Sequence, residues 1–457
     1  MRAPPLPANT SRRLALRGLL GVVLLVPGLT SAVQEAQPTV PGTTIEQVVQ
    51  SAVERNERAR ASAAAVEAAQ ARIGRARAFF FPQFTVTGAY TRRMHETVRT
   101  VGGQNAIIQR HDALSAQANL IVPLFDARLF PLYRQARLDG QAAAQTAAEE
   151  RRLLGYEAAD AFLMVLSQQH VLAAAARRLE FASGSLRDMR ARARAGLVSS
   201  NHVTRGELEE ATAERELVVA RTSLNSARLE LGYLVNAGLG ETLAMPEALL
   251  AEADRPPPAP DALIAAGIER RFDVAAGRSR VLALEAATRE AELRALPSVA
   301  GVAQYRINNE SGFSGRIGDG YAGLTATWLL YDGGERAADK NERDARRRAE
   351  SAQQDARART VALDVRRALE ALGSAQETQK SARRAADTAS TNVRETAELY
   401  RQGLVGALEI ADASLRLFEA EVALVRERYG LALAFLDLRA ASGELAPGHR
   451  DAPGERR

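Results

Sequence analysis

Phe81-Pro82-Gln83-Phe84-Thr85-Val86-Thr87-Gly88-Ala89-Tyr90 returns 215 positions later as Leu296-Pro297-Ser298-Val299-Ala300-Gly301-Val302-Ala303-Gln304-Tyr305. Each stretch follows a helical pattern that a proline ends, because proline cannot continue the backbone ladder and biases its neighbour toward extended chain. Two further segments repeat in the same order. Leu124-Phe125-Asp126 returns as Leu330-Tyr331-Asp332 after 206 positions, and Gly196-Leu197-Val198 as Gly403-Leu404-Val405 after 207. The offset shrinks only between the two strands of each unit, where a loop absorbs the difference. The chain therefore reads helix, strand, turn, strand, very long helix, reversal, helix, twice over: one fold of two pseudo-equivalent halves.

The leading helices are expected over about 44–80 and 260–295, with Thr43 and Thr44 as caps and Ile45, Val48, Val49, Ala52 and Val53 at helical spacing. Four strands follow, at about 82–95, 112–126, 297–308 and 319–332. In the second, Leu114, Ala116, Ala118, Leu120, Val122 and Leu124 alternate with Ser115, Gln117 and Asn119; in the fourth, Ala322, Leu324, Ala326, Trp328 and Leu330 alternate with Tyr321, Gly323, Thr325 and Thr327. Period two over about ten residues gives one face to lipid and one to water. The mature chain holds no run of about 18 apolar residues, so strands closed into a barrel are the only spanning device open to it. Four strands cannot close, since about eight are needed, so several copies must contribute; a trimer supplies twelve.

Long helices are expected over about 127–196 and 333–403, on the order of 100 Å each at 1.5 Å per residue, with return helices over about 200–236 and 406–441. Neither long helix finds a core in a compact monomer, so each must pack beside others as a coiled-coil wall, with alanines allowing close approach. Glycine suits the left-handed residue that ends each long helix, and Arg190, Arg192 and Arg194 offset the first helix dipole. The first repeat spans 43–250, a proline-rich linker 251–260 and the second repeat 261–443. Residues 1–32 read as a secretory signal, with Arg12, Arg13 and Arg17 before an apolar stretch and Thr30-Ser31-Ala32 as cleavage site. Residues 33–42 and 444–457 are expected to be flexible.

The net charge of +5 comes with arginines interspersed among acids, as in Glu149-Glu150-Arg151-Arg152, an alternation expected of a solvated helix face and not of a nucleic-acid site. The chain has no cysteine, which excludes disulfides, thiol nucleophiles and thiolate metal sites. Its five histidines are scattered, so no catalytic, metal or cofactor site is expected. Gly312, Gly315, Gly318 and Gly320 lie between two strands with no helix following, and read as a hairpin loop and not as a phosphate cradle.

The duplicated order, the Leu296 to Tyr305 strand, Arg271-Phe272-Asp273-Val274 before it, Leu330-Tyr331-Asp332-Gly333-Gly334 and the two Gly-Leu-Val tips resemble the TolC-like outer-membrane efflux proteins over about residues 43–443. The resemblance implies a mainly α fold with a small β part: a homotrimer whose twelve-stranded barrel sits in outer-membrane lipid and continues as a long α-helical periplasmic barrel. It further implies docking of the tips, Gly196, Leu197, Val198, Gly403, Leu404 and Val405, on a periplasmic adaptor (a membrane fusion protein) joined to an inner-membrane pump of the resistance-nodulation-division or ATP-binding cassette type, with no cofactor and no catalysis. In the family pattern two acids after the second tip ring the periplasmic aperture, and Glu409 and Asp412 match them. Their spacing of three puts both on one helical face, and a ring of carboxylates favours cations. Where the pattern has an acid in the first tip this chain has His202, and where it has the basic residue of the closed-state latch it has Val405; Arg205 and Arg416 are the candidate substitutes. The alternative is a soluble periplasmic coiled-coil adaptor or scaffold without a pore, which accounts for the helices but leaves four amphipathic strands unexplained; an enzyme stands third.

Overall fold

Thr44 opens the first helix by a reciprocal cap. Its hydroxyl accepts from the Gln47 amide at 3.4 Å while the Gln47 side chain accepts from the Thr44 amide at 3.1 Å. The computed structural model describes residues 39–40, 44–240, 242–310 and 316–449, and Thr39 onward forms one unit. The expected signal over 1–32 lies outside the described residues, as do most of 33–42, residues 450–457, Gly312 and Gly315. In chain order the elements are β1 (Thr39–Val40), α1 (Ile45–Arg55), α2 (Glu57–Ala78), β2 (Gln83–Arg92), β3 (Thr97–Val101), β4 (Gln104–Gln109), β5 (Asp112–Phe125), α3 (Leu129–Arg194), α4 (Ser200–Val235), β6 (Gly238–Leu239), α5 (Glu247–Ala253), α6 (Pro260–Arg270), α7 (Phe272–Leu293), β7 (Ser298–Asn308), β8 (Gly318–Thr327), α8 (Glu335–Arg401) and α9 (Ala407–Ala441).

Each leading helix, expected as one, is two. The chain is extended at Asn56, whose side-chain oxygen caps α2 by accepting from the Arg58 amide at 2.9 Å and whose side-chain nitrogen donates to the Leu234 carbonyl at 3.0 Å. The second repeat breaks at Arg271, again 215 positions on, where the guanidinium is held by Asp273 and Asp364, both at 2.9 Å. These breaks are joints between stacked helices. The end of α4 meets the start of α2, since Asn236 donates to the Glu57 carboxylate at 2.9 Å, and the turn after α9 lies against the start of α7, where a side chain on Gly443 would meet Arg270 and Arg271. In each repeat a short stacked pair thus runs beside one long helix, α3 or α8.

α3 and α8 span 66 and 67 residues. The glycines inside α3 mark close approaches: a Cβ on Gly155 would come within 2.9 Å of Ala446, and one on Gly140 within 2.7 Å of Ile73. The core sits where a belt of short elements wraps the helices. Val48, Val49, Phe162, Leu163, Leu231, Val235, Tyr429 and Leu436 form one cluster there, and Val274, Val361, Val365, Leu372, Leu431 and Leu438 another. Two segments expected to be flexible belong partly to this belt. Thr39 and Val40 pair in parallel with Gly238 and Leu239, and residues 444–449 pack back: the Glu444 carbonyl accepts from Arg152 at 3.2 Å and Tyr156 at 3.1 Å, and Ala446 is buried. The linker is tied down too, because Gln376 donates to the Ala253 carbonyl at 3.0 Å.

The four long strands form one antiparallel sheet, β2-β5-β7-β8. β2 stops at Arg92 and β8 at Thr327, short of the expected 95 and 332; beyond β8, Trp328 donates to the Ala295 carbonyl and Asp332 accepts from the Gly334 and Arg336 amides ahead of α8. Gly318 and Gly320 belong to β8, not to a loop. A hairpin absent from the sequence reading, β3–β4, turns at Gly102-Gly103 between β2 and β5. Among the described residues no helix is long and apolar enough to cross a membrane.

Candidate channel wall and gate

Register carries the alternation of single strands across the whole sheet. On one face Phe84, Leu120, Ala303 and Ala322 share a row and Val86, Ala118, Tyr305 and Gly320 the next. On the other face the rows are Thr85, Asn119, Gln304 and Tyr321, then Thr87, Gln117, Arg306 and Asp319. In these rows one side of the wall is apolar and the other polar; on that second side the next row, Gln83, Ile121, Val302 and Gly323, is largely apolar, and β2 and β8 each keep an unpaired edge. The Tyr305 ring lies along Gly318 and Gly320 on the apolar side, where any added Cβ would strike it. Beyond the strands, Glu310 receives the Arg93 guanidinium and the Arg110 amide, and Asn309 bonds the backbone of Asp112 and Leu114 at 2.9 Å each, so the loops of the two repeats are stitched together.

At the opposite end both long helices reverse in the same way. Gly196 has φ +73° and Gly403 φ +75°, the left-handed conformation glycine adopts without strain. The Leu197 amide donates to the Arg192 carbonyl and that of Leu404 to the Leu399 carbonyl, both at 2.9 Å, the Schellman closure. This geometry turns Leu197 and Leu404 outward, 74 % and 68 % exposed, while Val198 and Val405 are half-buried. Two apolar side chains thus mark the ends of the two hairpins.

The expected gate residues fall as follows. Glu409 is exposed and accepts from the Gly406 amide at 3.0 Å, capping α9. Asp412 is exposed one turn on, 3.6 Å from Arg416, which also reaches Glu419 at 3.1 Å. His202 is half-buried in the first turn of α4, its Nδ1 enclosed without a hydrogen-bond partner. Arg205 lines a cavity of about 250 Å³ with Phe181, Met189, Leu208 and Leu408. Asp412 and Arg416 are thus brought together, and among the described residues no ion pair links His202 or Arg205 to Glu409 or Asp412.

Sequence reading missed the contacts that join the hairpins. Arg192 stacks on Tyr400 with its guanidinium carbon 4.7 Å from the ring centre, oriented by Asp188 at 2.9 Å, and Tyr400 packs with Met189, Ala407 and Ile410. Further along α3, Arg177 pairs with Glu421 at 2.8 Å. Arg178, almost wholly buried, pairs with Glu209 and Glu216 and covers the Phe418 ring at 5.1 Å. Only the arginine-rich end of α3 signalled these contacts; Tyr400, Glu421 and Phe418 lie more than 200 residues from their arginines, while Glu209 and Glu216 hold Arg178 from within its own hairpin.

A two-faced, open-edged sheet continued by paired helices of nearly 70 residues is the subunit of an outer-membrane channel, not of a soluble scaffold. The chain matches the outer membrane efflux protein family over residues 48–237 and 263–444, one match per repeat, and belongs to that family. Channels of this family are trimers that work with periplasmic adaptors and inner-membrane pumps, and it is not an enzyme family. The fold is shared with a membrane protein from Pseudomonas aeruginosa (TM-score 0.75, 20 % identity, 89 % of this chain and 93 % of that one). It is shared also with the CmeC outer membrane channel of Campylobacter jejuni (0.73, 13 %, 94 % and 95 %) and the open state of the MtrE outer membrane channel of Neisseria gonorrhoeae (0.72, 17 %, 92 % and 95 %). No curated protein sequence matches the chain. The protein is an outer-membrane efflux channel whose helical part extends into the periplasm.

Proposed function

We propose that three copies of this chain form the passive exit duct of a tripartite export or type I secretion assembly. Cargo delivered by an inner-membrane pump of either type passes through without chemistry. The observation that carries this reading is an open-edged sheet with one apolar face and, behind it, a face with polar rows at Thr85 and Thr87. Copies joined edge to edge bury those edges and enclose the polar face. The exposed Leu197 and Leu404 make the tips the adaptor-docking surface, apolar knobs on rigid turns. Glu409 and Asp412, gathered three-fold, form a cation-favouring ring.

Fractionation and crosslinking test the reading. The protein should resist extraction from the outer membrane by high salt or carbonate and run as a trimer in mild detergent, and photo-crosslinkers at positions 197 and 404 should capture a co-expressed adaptor. Recovery in the soluble periplasm overturns the duct; absence of adducts at both positions overturns tip docking.

A further inference from the structure

The duplication extends from sequence to contacts. Moving β2 by 215 positions and β5 by 206 carries Val86 with Ala118 onto Gly301 with Leu324, and Tyr90 with Leu114 onto Tyr305 with Gly320; both resulting pairs are neighbours in the β7–β8 register. A shift of 207 relates the helices from Arg152 through the tips and along the return helices. Leu154, Ala158 and Val165 of α3 are buried, and so are their counterparts Val361, Val365 and Leu372 of α8. Val171 of α3 and Ala220 of α4 share a cluster, and their counterparts Thr378 and Glu427 bond each other at 2.7 Å across α8 and α9.

Contacts between the two repeats have no such counterpart within one chain. β5 pairs with β7, and α9 packs on α3, where Arg177 reaches Glu421 at 2.8 Å and Leu436 is wholly buried. The corresponding elements are β8 with β2, the two edge strands, and α8 with α4, which share no seam among the described residues. Their side chains stand open. Leu229, counterpart of Leu436, is 76 % exposed, and Val218, counterpart of Val425, is exposed too. Glu214, counterpart of Glu421, is exposed with no ion pair among the described residues, and Arg384, counterpart of Arg177, reaches Ser381 of its own helix at 3.3 Å.

We infer that the seam between neighbouring copies repeats the seam between the two repeats, with β8 and α8 of one copy against β2 and α4 of the next. This seam presupposes the three-copy assembly proposed above and gives it a register. The β5–β7 pairs Ala118 with Tyr305 and Leu120 with Ala303, moved by the same shifts, set Leu324 opposite Tyr90 of the next copy and Ala326 opposite Gly88, all on the apolar face. In the helices Arg384 meets Glu214 of the next copy, a cation against a carboxylate. Leu166 and Leu436 share one cluster, and Ala175 and Val425 pack together in another, so Leu229 of the next copy falls on Gly373 and its Val218 on Ala382. Large apolar side chains thus face small positions, and the space a side chain on Gly373 would fill is open.

The chain has no cysteine, so two introduced ones report on this register alone. Tyr90→Cys combined with Leu324→Cys should give a covalent trimer under mild oxidation, since directly opposite Cβ atoms lie about 5 Å apart. Val86→Cys combined with Leu324→Cys, four residues out of step and about 13 Å apart, should give none. Trimers on semi-native gels that lack the first crosslink, or that show the second, overturn the register and leave the assembly standing; a wild type that runs as a monomer in mild detergent overturns both. The helical contact is read separately, at exposed positions on which the lone chain does not rely. Arg384→Glu and Glu214→Arg should each lower the trimer fraction at low salt, where exposed charges are least screened, and the two together should restore it. Single variants without effect, or a double variant no better than they are, overturn the ion pair.

Discussion

Arg192 shows how one side chain acquires a role that its neighbours in sequence do not reveal. By position it is one of three arginines offsetting a helix dipole; in the folded chain its guanidinium lies on Tyr400 of the other hairpin and donates at 3.5 Å to that residue's carbonyl. A cation over a partly desolvated ring contributes about 0.5–2 kcal/mol. A double-mutant cycle of Arg192→Gln and Tyr400→Leu, read by chemical denaturation, should therefore show a coupling energy of that size, and additive effects would mean that the stacking carries nothing. The neighbouring Glu409 makes the converse point. Its place after the second tip was legible, but its bond to the Gly406 amide was not, because a cap depends on backbone direction. Glu409→Gln should keep the cap largely intact while removing the charge, which separates the two uses of one carboxylate.

Among the elements, strands were more legible than helix joints. Alternation placed all four barrel strands, helped by the proline before β2 and before β7, since a lipid face and a water face must differ in chemistry at every second residue. Ala118 and Gln117 are adjacent on β5 but on opposite faces. Ala118→Arg should destabilise the assembled barrel by about 2–4 kcal/mol if it sits near the bilayer midplane, and Gln117→Arg should leave trimer yield on semi-native gels unchanged; equal loss from both would contradict the division of faces. The joints at Asn56 and Arg271 were not legible, because helical periodicity runs through both and the break is imposed by the end of another helix stacked beneath. Asn56→Ala loses the cap of α2 and the bond to Leu234 and should lower stability by about 0.5–2 kcal/mol in denaturant melts. The β3–β4 hairpin had a visible signal in Gly102-Gly103 after a β-branched run, but its strands of 5 and 6 residues are too short to show the alternation of a membrane-length strand. Residues 444–449 read as a tail because their partners, Arg152 and Tyr156, lie nearly 300 residues earlier.

At the scale of the whole molecule, duplication makes the two hairpins near-equivalent at their turns and unequal just beyond them. His202 stands in the first turn of α4 where the second hairpin presents Glu409 and Asp412 on α9. In the proposed three-fold assembly that inequality is multiplied, six carboxylates of the second hairpin against three His202 side chains of the first. Asp412 is partly offset by Arg416 at 3.6 Å, and because both are exposed that offset is weak and screened by salt. Among the described residues Glu409 pairs with no cation and accepts from the Gly406 amide. Arg416→Ala, which removes that offset, should therefore strengthen the cation preference of the proposed ring modestly. In planar bilayers under a salt gradient, the Glu409→Ala, Asp412→Ala double variant should shift the reversal potential toward zero and lose block by divalent cations, while Arg416→Ala shifts it the other way. If the double variant keeps wild-type cation preference, selectivity resides elsewhere in the duct. The polar face of the sheet, where Arg306 and Asp319 stand in one row, would then be the next place to look.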